Sequence, residues 1–378
     1  MTRVTRLLRE LIAIPSVNPA FRPAGDAFSG EARVAEFLAG RARKAGLDVE
    51  FQEVFPNRSN VIVRLRPRGE VKRRVMLAPH MDTVGGDVAG GKLFEPVAKQ
   101  GRLHGRGACD TKGSVAAMFD SLARVATKGK RPANTELIFL GLVDEEHEQM
   151  GSRYFAEHGF KADLAIVGEP TKLRVVTAHK GDFWLRLQTR GLSAHGSQPH
   201  RGRNAVHAMA KLVDVLETEY AELLRKTRHP LLGCGTVNVG TIQGGAQANV
   251  VPNECSITID RRTLPGETEA SIRRELRALL KQRGITANIF NHKKTECLPL
   301  NTDPELPLVR QFMGIARQRN PIGVDYFCDG SPLSQGGTPS IVFGPGDIAQ
   351  AHTADEWIAL DSLNAAPEML ETFLRAQP

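Results

Sequence analysis

His80, Asp110, Glu146, Glu169 and His352 are two imidazoles and three carboxylates, a donor set that suits a pair of zinc-like ions with one carboxylate bridging them. Two-metal hydrolases hold their ions about 3.5–4 Å apart, which requires such a bridge. His80 and Asp82 lie close together in RVMLAPHMD (74–82), so the carboxylate is placed to orient the imidazole. Glu145 and Glu146 are adjacent, and neighbours leaving a strand point in different directions. Glu146 is expected to bind metal while Glu145 faces the water that two dications acidify. Glu145 then collects that water's proton and later passes it to a leaving amine. Taken singly, each residue has a bland reading: a solvated carboxylate, a helix N-cap at Asp110, a loop histidine at His352. Their coincidence in one chain favours metal.

Other chemistries lack their signatures. His147-Glu148 is followed by Gly151 where a second His is needed, so H-E-x-x-H is absent. There is no G-x-S-x-G elbow and no G-x-x-x-x-G-K-[ST] phosphate loop. Gly105-x-Gly107, at the end of a glycine-rich loop over 85–107, meets Asp110 where a dinucleotide fingerprint needs a third glycine. No strand is predicted to feed it.

The elements that must position these side chains are read from periodicity. Residues 75–78 are a short apolar run, a strand buried on both faces that stops at Pro79. Further apolar strands are expected at 136–143, 164–167 and 340–343, alternating with helices. That order predicts a mostly parallel sheet covered by helices on both faces. Ligands bind outside the carboxyl ends of such strands, where His80, Glu146 and Glu169 fall. His352 follows the last strand, and Asp110 opens a helix striped by Val115, Met118, Phe119, Leu122 and Val125.

Val4, Leu7, Leu8, Leu11 and Ile12 share one face of a first helix closed by Pro15, and a second helix runs to Gly46. Strands are expected at 47–54 and 60–65. From residue 180 the pattern changes. Strand 183–188, a helix from 204 to about 224, strands 236–241 and 255–260, helix 267–282 and strand 285–290 spell β-α-β-β-α-β. The expectation is an α/β chain of two domains: a catalytic domain of 1–179 and 292–378, and an inserted ferredoxin-like domain of 180–291.

At 378 residues the chain is too long for one ordinary core, and 41% hydrophobic with 24% charged residues is ordinary globular composition. The net charge of +8 comes from 50 basic residues interspersed with 42 acidic ones, and the basic clusters are not interleaved with aromatics. A solvated surface is the reading, with no nucleic-acid partner. Five scattered cysteines without C-x-x-C argue against a disulfide framework or structural zinc and fit a reducing cytosol. MTRVTRLLRELIAIPS reads as an amphipathic helix rather than a signal peptide, and no apolar run is long enough to span a bilayer. The expected location is the cytoplasm, with no membrane partner.

The motifs APHMDTV, GRGACDTKG, DEE, GEP, GLSAHGSQPHRGRNA, DRRTLPGE and GPGDIAQAHTADEW run through nearly the whole chain. Together they resemble the metallopeptidase and deacylase family that contains acetylornithine deacetylase, succinyl-diaminopimelate desuccinylase, aminoacylase and glutamate carboxypeptidase. The resemblance implies two divalent ions, zinc foremost with cobalt as the alternative. It gives His80 and Glu169 to one ion, Glu146 and His352 to the other, and makes Asp110 the bridge. It implies that Asp82 supports His80, that Glu145 is the base, and that the inserted domain serves as lid and dimer contact. His195 looks like the family histidine that reaches a neighbouring subunit's site and polarises the scissile carbonyl. Asn249 and Arg262 look like residues that bind the substrate carboxylate. Thr111 stands where Met is common in the family, and His147 follows the acidic pair. The implied activity of the implied homodimer is hydrolysis of an N-acyl amino acid, N2-acetylornithine first. The alternatives are succinyl-diaminopimelate desuccinylation, a carboxypeptidase or dipeptidase activity, and, from another class, a non-catalytic homologue. All the ligands and Glu145 are present.

Overall fold

Only Pro56 and Asn57 separate the strands Asp48–Phe55 and Arg58–Leu65, so these two pair antiparallel. The strands that follow are joined through helices and run parallel. Helix Lys112–Thr127 links Arg73–Pro79 to Thr135–Gly141, and helix Met150–His158 links the latter to Leu164–Gly168. In this computed structural model, which describes residues 1–86, 92–129, 131–293 and 295–378, those strands order themselves around Arg73–Pro79. Thr135–Gly141 lies on one side of it and Leu164–Gly168 on the other, both parallel, with Ser340–Val342 parallel beyond Leu164–Gly168. The chain therefore moves one way to Thr135–Gly141 and crosses back for Leu164–Gly168, a switch point at the carboxyl end of Arg73–Pro79.

Both faces of this sheet are covered. Val75, Leu77, Leu137, Phe139, Leu164 and Ile166 face one core, shared with helices Arg3–Ile12, Ala32–Lys44, Lys112–Thr127, Pro307–Ile315 and Leu360–Arg375. The alternate residues Met76, Ile138 and Ala165 are equally buried on the opposite face, where helices Met150–His158 and Gly330–Gln335 pack. The predicted stripe of the first helix, Val4, Leu7, Leu8, Leu11 and Ile12, is buried in full, each side chain worth about 1.5–3 kcal/mol against exposure.

The chain divides into two units, Met1–Thr177 with Thr302–Ile322 and Cys328–Pro378, and Ala178–Asn301 with Gly323–Phe327. The second unit starts and ends outside the 180–291 read from sequence because Ala178 and His179 pair with Asn301 and Leu300. Its four-stranded sheet has the order Thr236–Gly244, Glu254–Thr263, Gly181–Arg190, Asn288–Asn291, antiparallel throughout. Helices Ala205–Val215, continued to Arg225 through a π-turn, and Glu269–Gln282 contribute Met209, Leu212, Leu216, Ile272 and Leu276 to a core with Leu185, Leu187, Ile257 and Ile259. That is the expected split β-α-β-β-α-β arrangement.

One local expectation is corrected. A strand, Arg102–His104, does run straight into Gly105, but it pairs antiparallel with Val97–Lys99 and Trp357–Ala359. It is not part of a β-α-β unit, and the dinucleotide reading still fails. Residues 87–91 of the glycine-rich loop lie outside the described residues.

Asn60 ties the sheet edge to the turn that follows Thr135–Gly141. Its fully buried amide donates to Gly151 O at 2.9 Å and accepts from Val143 N at 3.2 Å. Asn60→Ala strands both backbone groups at about 1–3 kcal/mol each and is expected to cost about 2–4 kcal/mol. Urea unfolding checks this, and a loss below about 0.5 kcal/mol would assign the turn's order to other contacts.

Candidate metal centre

Strand register brings the first ligand candidates together. Pro79 is paired with Gly168, so His80 and Glu169 leave the sheet side by side. On the other flank His80 bridges to Leu142, with Met81 N donating to Leu142 O at 2.8 Å, which brings Asp144, Glu145 and Glu146 to the same edge. The two remaining candidates arrive on loops. Asp110 precedes helix Lys112–Thr127, and His352 follows the short turn Ile348–Gln350 with a left-handed φ of 62°. Asp110 is not the N-cap its place suggested. Thr111 holds that position, no side chain caps the helix, and the Asp110 carboxylate is turned toward the imidazoles. Thr111 Oγ1 donates to Gly168 O at 3.0 Å, fastening this loop to the strand that leads to Glu169.

His80 Nε2 lies 3.2 Å from Asp110 Oδ1 and 3.7 Å from Glu169 Oε1. His352 Nε2 lies 3.3 Å from Asp110 Oδ2 and 3.0 Å from Glu146 Oε2. Two triads result, His80–Asp110–Glu169 and Asp110–Glu146–His352, with the ligand atoms of each within 4.8 Å of one another. Asp110 belongs to both and offers a different oxygen to each. Glu169 Oε1 is buried without a hydrogen-bond partner among the described residues, an acceptor aimed at the first triad. Two imidazoles and three carboxylates gathered around a shared carboxylate fit a pair of divalent cations.

The surrounding polar groups fix these side chains. Asp82 Oδ1 lies 3.3 Å from His80 Nδ1 and accepts from Glu145 N at 3.2 Å, while Oδ2 accepts from Glu146 N at 3.1 Å and Asn18 Nδ2 at 2.8 Å. The Asp82 backbone carbonyl, 3.1 Å from His80 Nδ1, orients the imidazole together with the carboxylate, which also pins the backbone of the acidic pair. Asn18 reaches on to Asp144 Oδ1 at 3.0 Å, and Arg58 joins Asp144 to the buried Glu31. Asn18, Glu31 and Arg58 have no sequence signal, because each is an ordinary loop, helix-end or strand residue until the fold brings it here.

Burial raises Glu145, Glu146 and Glu169, whereas in Asp82 and Asp110 the neighbouring imidazoles outweigh burial and hold the carboxyl below its ordinary range. Burial pushes Glu145 well above the usual carboxyl range, His80 opposing and Glu169 and Asp329 adding to it. Burial does the same to Glu169 and lifts Glu146 to about 7. Burial would discharge His80, but the Asp110 and Asp82 carboxylates overrule it and hold the imidazole well above its ordinary range. Hydrogen bonds to Asp110 and Glu146 raise His352 to about 10. Asp329 is a buried carboxyl that sequence reading passed over. Burial raises it to about 7 even though Ser152 Oγ donates to it at 2.5 Å. It stands in CDGS, a stretch with no periodicity to mark it.

His195, Asn249 and Arg262 lie in the second unit. His195 and Asn249 are neighbours there: residue 195 bridges to Val250, and Gly196 N donates to Asn249 O at 2.7 Å. His195 Nδ1 sits 2.7 Å from Ser197 Oγ, and both His195 and Asn249 are exposed. Arg262 is half-buried and grips Asp260 through two bonds of 2.9 and 3.0 Å.

In metal-stripped protein every raised group, acid or imidazole, makes the folded state bind more protons than the unfolded one. Their contribution to stability is then lost as pH rises from about 5 to 10, while buried Lys112, held down to about 7, opposes this in part above that pH. The melting temperature of chelated protein is expected to fall across that window, and a divalent cation at pH 8 should restore it. A flat profile without metal would contradict the electrostatics described.

The family model for peptidase family M20/M25/M40 matches residues 76–376. The chain is 33% identical over 355 residues to the acetylornithine deacetylase of Vibrio campbellii, covering 90% of each. It is 34% identical over 366 residues to that of Edwardsiella ictaluri, covering 94% of this chain and 92% of the relative. Among solved structures, a Staphylococcus aureus tripeptidase superposes with a TM-score of 0.78 at 19% identity, covering 99% of this chain and 97% of that one. An M20 family metallo-carboxypeptidase from Sulfolobus solfataricus does so at 0.74 and 19%, covering 99% of both. The chain belongs to peptidase family M20/M25/M40 and is a metal-dependent amidohydrolase.

Proposed function

We propose that the protein deacylates N-acyl amino acids, with N2-acetylornithine as its first substrate, giving ornithine and acetate. The observation that carries the hydrolytic reading is the Asp110 carboxylate, one oxygen toward His80 and the other toward His352. The choice of substrate rests on relatives named acetylornithine deacetylase that align over at least nine-tenths of the chain. His80 and Glu169 would hold one divalent ion and Glu146 and His352 the other, with Asp110 shared by both groups. Zinc is the expected metal, with cobalt a competent substitute. When bound, the two ions supply Lewis acidity that polarises the amide and acidifies the attacking water.

The chain's own residues do the rest. Asp82 holds His80 in one tautomer and orientation through Nδ1, which its backbone carbonyl and its carboxylate both approach. Glu145, buried beside the triads, takes a proton from the attacking water and delivers it to the departing amine. His195 donates to the developing oxyanion from a neighbouring subunit, and Asn249, next to it, binds the substrate carboxylate. Arg262 joins in that binding by giving up part of its hold on Asp260. The unit that carries these three is the lid and dimer contact of a cytoplasmic homodimer. Five scattered cysteines without a C-x-x-C pair agree with a reducing compartment.

Zinc- or cobalt-loaded protein should release ornithine from N2-acetylornithine. If it cleaves N-succinyl-diaminopimelate or dipeptides and leaves acetylornithine intact, the substrate is wrong and the hydrolase class stands. Glu145→Gln is expected to keep both metals and lose about 10²–10⁴-fold in kcat, whereas His352→Ala should lose about one metal equivalent. Full activity in the first variant removes Glu145 as base. Mixing His195→Ala with Glu145→Gln should regain activity by subunit exchange, and no regain would place His195 outside a shared site.

A further inference from the structure

We infer that Glu356 is a positioning residue for the metal centre: with Arg106 it locks together the two loops that present Asp110 and His352. The inference rests on the metal reading proposed above and extends it to residues that touch no ligand atom. Glu356 Oε1 accepts from Cys109 N at 2.8 Å and Asp110 N at 2.9 Å. Its Oε2 accepts from Gly107 N and from Arg106 Nη1, each at 2.9 Å. The Arg106 nitrogen also donates to Thr353 O at 3.0 Å, the carbonyl next to His352. Gly105 N closes the ring on Glu356 O at 3.0 Å.

Both side chains are almost wholly buried, 3% and 2% exposed. A buried carboxylate so near an acid-rich centre adds like charge beside Asp110, which burial and that proximity register by raising Glu356. The fold nevertheless keeps it, with every close donor aimed at it. Three backbone N–H groups of residues 107–110 converge on one rigid acceptor pair, fixing where the Asp110 carboxylate emerges. Gly107 takes φ +81°, and a Cβ there would sit 2.9 Å from Thr83 Cγ2 and Lys112 Cδ, so this loop has little room to shift. His352 holds a left-handed φ of 62°, a conformation that persists only where neighbours over-determine it. The Arg106 bond to Thr353 is one such restraint.

Glu356→Gln is nearly isosteric but replaces an acceptor oxygen by an NH2 group, so two donors, either Cys109 N and Asp110 N or Gly107 N and Arg106 Nη1, then face a donor. Chelator-stripped full-length protein titrated with zinc by calorimetry should show affinity at both sites weakened about 10–100-fold. The visible spectrum of the cobalt-loaded variant should differ from that of the parent. Phe312→Leu, in the aromatic cluster with Phe343 and Phe373, supplies a destabilised control expected to bind zinc like the parent. Parent-like zinc affinity in Glu356→Gln, or an equal loss in Phe312→Leu, overturns the inference. If Glu356→Gln does not fold, Arg106→Gln reads the same linkage, with weakened zinc binding expected and unchanged binding overturning it. A parent that binds no divalent metal would instead sink the proposed centre itself, so the two failures are distinct.

Discussion

Everything at the centre depends on parallel pairing of Arg73–Pro79 with a strand on each side. Parallel neighbours end at the same edge, so the residues just past those ends meet without further design: His80, the Glu145-Glu146 pair and Glu169. An antiparallel neighbour would send its exit loop to the opposite edge. The helical links that enforce parallel pairing also cover both faces, so the edge becomes the place where polar side chains collect around an otherwise dry sheet.

That dryness has an electrostatic consequence. Taking a carboxylate out of water costs several kcal/mol, and this edge gathers Asp82, Asp110, Glu145, Glu146, Glu169 and Asp329. Hydrogen bonding absorbs part of the cost where the group serves as scaffold. Asp82 accepts from Asn18 and two backbone amides, and Glu356 accepts from three amides and Arg106. Where the group faces the triads, as Glu169 Oε1 does, the cost is left standing. Divalent cations are the species that offset it. Asp110 and Glu146 find imidazole partners instead, so among the described residues the unanswered acceptor of the two triads is Glu169 Oε1.

The second unit obeys ordinary ferredoxin-like packing, with strict alternation along Glu254–Thr263 and two helices on one face. Its functional candidates sit on loops and at a strand end: His195 beside Asn249, and Arg262 held by Asp260. Within this unit the chain brings the first two together and leaves the third engaged elsewhere.

The sequence alone determined the two-domain α/β organisation, because long apolar runs alternating with 3.6-period stripes leave few ways to bury both. It also singled out the five candidates that the fold gathers into two triads, since a His or a carboxylate just past a buried strand has a position as well as a chemistry. The short strands Leu300–Asn301 and Ile322–Val324 and the helix Gly330–Gln335 escaped it, being too brief to show a period. The three-stranded sheet around Arg102–His104 escaped for the same reason, and its partner strand lies some 250 residues away at Trp357–Ala359. Only the tertiary structure decided that Asp110 turns toward imidazoles instead of capping its helix. Only it brought Asn18, Arg58, Asp329 and Glu356 up to the candidate residues and the segments that carry them. A residue's type and its local spacing are written in the chain. The partners of a buried polar group are not, because they come from segments that meet only when the sheet closes.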